Sequence, residues 1–135
     1  MSVGLLLVTH QSLGTVLLRI ATEIFGACPT RAQSLEVEND APTEVLLAQA
    51  RCLVEQLDMG DGVLVLTDLY GATPARLAME LAGGAHRIRL IAGVNLPMLV
   101  RALNYAGLNL DTVADKAVAG GRAGVFPCPA PDERD

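Results

Sequence analysis

The chain has 135 residues, 51% of them hydrophobic, which is enough apolar material for one domain with a real core. Aromatic residues make up only 3%, with no tryptophan, so the core is built from Leu, Val, Ile and Ala and stacking platforms for sugars or single-stranded nucleic acid are excluded. The formal net charge is -5 and Lys and Arg nowhere cluster, which argues against a nucleic-acid partner.

The apolar run from Val3 to Val8 predicts a first strand with His10 at its end. The run has no basic leader and is far too short to cross a bilayer, so a cytoplasmic protein with no direct membrane insertion is expected. Leu13, Val16, Leu17, Ile20 and Ile24 recur at helical spacing, with Ser12 as the expected N-cap and Gly26 as the stop. Ala32 to Glu38 reads as a short strand, and the turn after it ends in Thr43, the expected cap of a helix from Glu44 to Leu57. Val63 to Leu66 predicts a third strand ending at Asp68. Thr73 and Pro74 then supply a cap and a first-turn proline for a helix that stops at Gly83 and Gly84. Arg87 to Ala92 is a fourth strand, Gly93 to Pro97 a loop into a helix reaching Tyr105, and a last helix from Leu110 should end at Gly120 and Gly121. Ala123 to Pro127 is a candidate C-terminal edge strand. The domain is therefore expected to span residues 1–127, followed by a disordered tail, 128–135.

Alternating strands and helices define an α/β fold: a parallel, doubly wound, flavodoxin-like sheet of four strands with helices on both faces. With strands one and three adjacent, as that winding implies, His10 and Asp68 leave the sheet side by side at its carboxyl edge, where ligands of such sheets collect. A carboxylate that fixes one imidazole nitrogen as N-H leaves the other with a free lone pair, the arrangement of a nucleophile and its orienter. Helices beginning after Ser12 and after Thr73 present unpaired N-H groups to that edge, which favours an anion. Gly71 lets the backbone approach it, and Thr73 adds a hydroxyl donor.

Other readings of the same residues remain open. Asp68 could itself accept a phosphoryl group, as in a receiver module, although His10 stands where receivers need acids and the only lysine is Lys116. A non-catalytic anion-binding regulator would use the same helix ends. Asp68 and Thr73 also suit ordinary helix capping. His86, in a turn, is expected to be exposed and inert. Cys28, Cys52 and Cys128 form neither CxxC nor zinc spacing and read as reduced thiols, and two histidines without an acid cluster predict no metal centre and no cofactor.

Three segments carry a resemblance. Val8-Thr-His10, Thr67-Asp-Leu-Tyr-Gly-Ala-Thr-Pro74 and Ala92-Gly-Val-Asn-Leu-Pro-Met-Leu99 resemble the enzyme IIA domains of the mannose/fructose/sorbose class of the bacterial phosphotransferase system, over residues 1–126. The resemblance implies a phosphohistidine carrier of the phosphoenolpyruvate-dependent sugar phosphotransferase system. In it His10 would take a phosphoryl group on Nε2 from the phosphocarrier HPr and pass it to a separate IIB protein, or serve a regulatory relay. It also implies that Asp68 orients the ring from Nδ1, that a hydroxyl such as Thr73 and nearby amides hold the phosphoryl oxygens, and that the protein is a homodimer joined through a C-terminal strand. Gln11, Tyr70 and Thr73 depart from the residues commonest in the family, which are Gly, Trp and Ser.

Overall fold

The computed structural model describes residues 2–129. Short runs of Leu and Val favour extended backbone and need cover on both faces, and the chain supplies it. The elements run β1 (Gly4–His10), α1 (Leu13–Phe25), β2 (Ala32–Val37), α2 (Thr43–Leu57), β3 (Val63–Thr67), α3 (Thr73–Leu81), β4 (Ile88–Ala92), α4 (Leu96–Asn104) and α5 (Leu110–Ala123). All four strands are parallel, in the order β2-β1-β3-β4. The doubly wound, flavodoxin-like expectation is met.

Strand periodicity divides the core in two. Leu5 and Leu7 of β1 and Leu64 and Leu66 of β3 face α1, α4 and α5, through Ala21, Leu99, Leu103, Val113 and Ala117. Leu6, Val8, Val63 and Val65 point the other way, onto α2 and α3, where Leu46, Ala50, Val54, Leu77 and Ala78 close over them. Each such fully buried Leu or Val contributes about 1.5–3 kcal/mol. Stability thus resides in these buried Leu and Val residues, and His10, at the partly exposed end of β1, lies outside both halves of the core.

Three expected caps are not made. Ser12 has φ -119 and ψ 40 rather than the extended cap conformation, and forms no side-chain cap bond. The hydroxyl of Thr9 accepts from the Gly14 N-H instead, at 2.8 Å. Helices α2 and α3 begin at Thr43 and Thr73 themselves, so Pro42 and Ala72, which have no side-chain acceptor, occupy the cap positions. Asn95 and Asn109 do cap, accepting from the N-H groups of Met98 and Thr112.

Helix α5 also runs through the glycine pair that was expected to end it. A Cβ on Gly120 would lie 2.7 Å from Cβ of Arg101, and one on Gly121 2.8 Å from Cε of Met98. Both glycines let α5 close on α4, and that packing outweighs their weak helix propensity. Ala123 therefore belongs to α5, and no strand forms over residues 124–129; Val125 and Phe126 stand exposed there. Of the expected disordered tail, residues 130–135 lie outside the described residues. No helix among the described residues is long and apolar enough to cross a membrane.

Candidate active site

The chain passes from β1 outward to β2, then returns across β1 to β3, so crossover direction reverses between the adjacent strands β1 and β3. That reversal opens a crevice at their carboxyl ends. His10 is the last residue of β1, and Asp68 follows the last residue of β3. Their side chains meet, with His10 Nδ1 2.8 Å from Asp68 Oδ2.

Asp68 holds more than the ring. Its Oδ2 also accepts the backbone N-H of His10 at 3.0 Å, and Oδ1 accepts the N-H of Leu69 at 3.0 Å. Burial pushes this carboxyl up. The hydrogen bond from the His10 ring, those from the His10 and Leu69 backbones, and attraction to the imidazole together outweigh burial and hold it below the ordinary aspartate value. Both oxygens being engaged and the side chain only 11% exposed, Asp68 is poorly presented as a phosphoryl acceptor. The His10 side chain is 43% exposed, and its Nε2 has no hydrogen-bond partner among the described residues. A ring tethered at Nδ1 and open at Nε2 can act as a nucleophile toward an incoming electrophile.

The backbone around Asp68 is fixed from the neighbouring strand. After β4, the N-H groups of Gly93 and Val94 donate to the carbonyls of Asp68 and Thr67 at 3.1 and 3.0 Å. Gly93 has φ 88, the left-handed region that only glycine enters without strain. Asn95 caps α4 and donates from Nδ2 to the carbonyl of Gly121 in α5 at 3.1 Å. The motif from Gly93 to Met98 thus clamps the end of β3 and ties it to α4 and α5.

Ser12 lies exposed in the turn between His10 and α1, and Gly71 and Thr73 lie exposed where the chain leads from Asp68 into α3. Gly71 has φ 88, so the turn itself requires glycine there. Among the described residues, no hydrogen bond joins these three to the side chains of the His10–Asp68 pair.

His86 is not the free histidine expected. Its Nδ1 lies 2.7 Å from Asp58 Oδ2, and its side chain is 35% exposed. Asp58 also accepts the N-H groups of Gly60 and Gly62 on Oδ1, at 2.8 and 3.1 Å. The bond from His86 is the largest influence holding the Asp58 carboxyl below its ordinary value, and the two glycine N-H groups add to it against desolvation. Sequence reasoning missed this pair because its members sit in separate turns 28 residues apart. It missed Thr9 as well, which read as one more strand residue. The three cysteines are exposed and unpaired, and no group of three or more His, Cys, Asp or Glu side chains among the described residues is placed to hold a metal ion.

A family model described as PTS system fructose IIA component matches residues 4–118. The chain is 28% identical over 127 residues to the PTS system mannose-specific EIIAB component of Escherichia coli K12, a match covering 93% of this chain and 39% of that protein. It is 30% identical over 115 residues to the transcriptional regulatory protein LevR of Bacillus subtilis, covering 82% of this chain and 12% of the regulator. The chain therefore spans well under half the length of these relatives. Among solved structures, the mannose/sorbose specific IIA subunit of Enterococcus faecalis superposes with a TM-score of 0.85 at 26% identity, over 97% of this chain and 98% of that one. The EIIA component of Streptococcus agalactiae shares the fold with a TM-score of 0.83 at 21% identity, over 93% and 96% of the two chains. The chain belongs to the fructose IIA component family of the phosphotransferase system.

Proposed function

We propose that this chain is a phosphohistidine carrier that accepts a phosphoryl group from HPr on Nε2 of His10 and hands it to a IIB protein. The observation that supports this reading best is the tethered imidazole at the switch point, with Nδ1 2.8 Å from Asp68 and Nε2 unpartnered. In the forward step the Nε2 lone pair attacks the phosphorus of the donor's phosphohistidine. The donor's P–N bond breaks and its electron pair returns to the donor imidazole. The Nδ1 proton of His10 stays in place, and the Asp68 carboxylate balances the positive charge that forms on the ring. Phosphoryl transfer asks little beyond positioning and charge stabilisation, and α1 and α3 begin at this edge, so the positive ends of their dipoles flank it. Ser12, Gly71 and Thr73 are proposed to meet the phosphoryl oxygens there. Leu69 and Tyr70, 62% and 75% exposed, together with Leu13 and Val16 of α1, put apolar surface on the two segments that carry the pair, as docking of a protein donor requires.

Incubation with phosphoenolpyruvate, enzyme I and HPr tests the reading. The expected label is stable in alkali, lost in acid, and withdrawn again by unphosphorylated HPr without added Mg²⁺. Label that alkali or hydroxylamine removes, or that HPr cannot recover, would transfer the role to Asp68 and end the carrier reading.

The protein is further proposed to be a homodimer in the cytoplasm. β4 is an edge strand, and Val125 and Phe126 leave α5 74% and 64% exposed, an apolar segment in search of a partner. Sedimentation of the full chain should give a dimer, and of a chain truncated before Gly124 a monomer; a monomeric full chain at micromolar concentration rules the dimer out.

A further inference from the structure

Two threonines, Thr9 and Thr67, are the only fully buried polar residues among those described, and each directly precedes a member of the His10–Asp68 pair. Their hydroxyls differ. That of Thr67 has no hydrogen-bond partner. That of Thr9 donates to the carbonyl of His10 at 2.9 Å and accepts the N-H of Gly14 at 2.8 Å. One hydroxyl therefore joins the end of β1 to the first turn of α1 and fills the place that a capping side chain from Ser12 would have taken.

The consequence for His10 is a residue held on every polar group but one. Its N-H and its Nδ1 are bound to Asp68 Oδ2, and its carbonyl is bound to Thr9, leaving Nε2. Asp68 alone fixes the ring to β3. It does not hold the carbonyl side of His10, where the chain turns from β1 into α1 and which, with the N-H side, sets where Cα and so the base of the ring sit. Gly14 makes the Thr9 contact reachable, because a Cβ there would lie 3.0 Å from the Thr9 hydroxyl and 2.4 Å from Oγ of Ser34.

We infer that Thr9 is a positioning residue for phosphoryl transfer: its buried hydroxyl, bridging the His10 carbonyl and the Gly14 N-H, holds the imidazole so that Nε2 faces the incoming phosphorus. The inference rests on the carrier reading above. Its effect belongs in the chemical step and not in partner docking, since the hydroxyl is buried and touches no partner surface.

The test compares Thr9→Val, Thr9→Ser and Thr67→Val in the full-length protein, with single-turnover phosphorylation by phospho-HPr and nitrogen-15 NMR of the His10 ring recorded on each. Thr9→Val keeps shape and removes the bridge; it should lower the maximal rate by up to about a hundredfold, the penalty of a small misplacement at a reacting atom, with little change in half-saturating HPr. It should also shift and broaden the Nδ1-H signal. Thr9→Ser should restore both towards the parent, and Thr67→Val should alter neither. A Thr9→Val protein with parental rate and parental ring signal overturns the inference, as does failure of Thr9→Ser to rescue, or an equal loss in Thr67→Val. If the parent itself takes no phosphoryl group, the carrier reading fails; the ring signal then decides on its own whether Thr9 holds the imidazole.

Discussion

The molecule contains two histidine–aspartate pairs, one at each end of its sheet. His10–Asp68 and His86–Asp58 are nearly the same in isolation: Nδ1 to Oδ2 distances are 2.8 and 2.7 Å, and in each the carboxylate is the more buried partner. Their surroundings are opposite. Helix α1 starts at Leu13 and α3 at Thr73, so His10 and Asp68 stand before helix N-termini, whose partial positive charge favours an added phosphoryl group. Helix α2 ends at Leu57, directly before Asp58, and α3 ends at Leu81, ahead of His86. Helix C-termini carry the partial negative charge, which repels a phosphoryl group. Asp58 also spends its second oxygen on its own turn, Gly60 and Gly62, so this pair staples two loops. A histidine beside an aspartate can thus serve as a plain structural staple, and on the proposed function it is the place relative to the helix ends that would suit one pair and not the other to a phosphoryl group.

That contrast can be broken by mutation. The largest expected effect is His10→Ala, which should abolish labelling from HPr with the fold intact by circular dichroism, because the ring lies at the sheet edge outside both halves of the core. Retained labelling in the folded variant would remove His10 from the account. Asp68→Asn should fold and transfer about 10²–10³-fold more slowly, since an amide can accept from Nδ1 but cannot balance the charge on the ring. A parental rate in single-turnover assays would reduce Asp68 to a structural role.

At the other end the effects should be on stability alone. Asp58→Ala, which strips the acceptor from His86, Gly60 and Gly62, is expected to lower stability to urea by about 1.5–3 kcal/mol. His86→Ala, at a partly exposed pair, should lower it by about 1 kcal/mol at most. Both variants should be phosphorylated at the parental rate. A tenfold loss of transfer in either would erase the distinction between the two ends.

The smallest effect is with pH. Both aspartates sit below their ordinary value in the folded protein, so each contributes stability that is complete above the unfolded pKa of about 4 and is lost as pH falls through the lower folded value. Urea midpoints should therefore decline below about pH 4. The decline should be shallower in Asp58→Asn; an unchanged slope would mean that the Asp58 network contributes nothing to acid stability.

How much of this could be read beforehand follows from how local each signal is. The strands were legible because each is a short Leu/Val run, and the helices because their apolar residues recur on one face. The meeting of His10 with Asp68 followed from one topological expectation, adjacency of the first and third strands, applied to two strand ends. What escaped depends on contacts between distant segments. Gly120 and Gly121 look like a helix stop, yet they serve the close packing of α5 on α4. Ser12 looks like a cap, yet the donor it would satisfy is taken by Thr9 from the strand. Asp58 and His86 meet only because β3 and β4 are neighbours. Ala123 to Pro127 has the composition of a strand, but among the described residues no strand pairs with it, and Ala123 completes α5 instead.

Position at the carboxyl edge, and not the pairing itself, is what the carrier reading requires to select the phosphoryl site. The chain has only two histidines, so nitrogen-15 NMR of the imidazole-labelled protein, before and after phosphorylation by HPr, tests it directly. Nε2 of His10 alone should acquire coupling to phosphorus, Nδ1 should keep its proton, and the His86 signals should stay where they were. Phosphorus coupling at His86, or a phosphorylated protein in which both rings are unchanged, would contradict it.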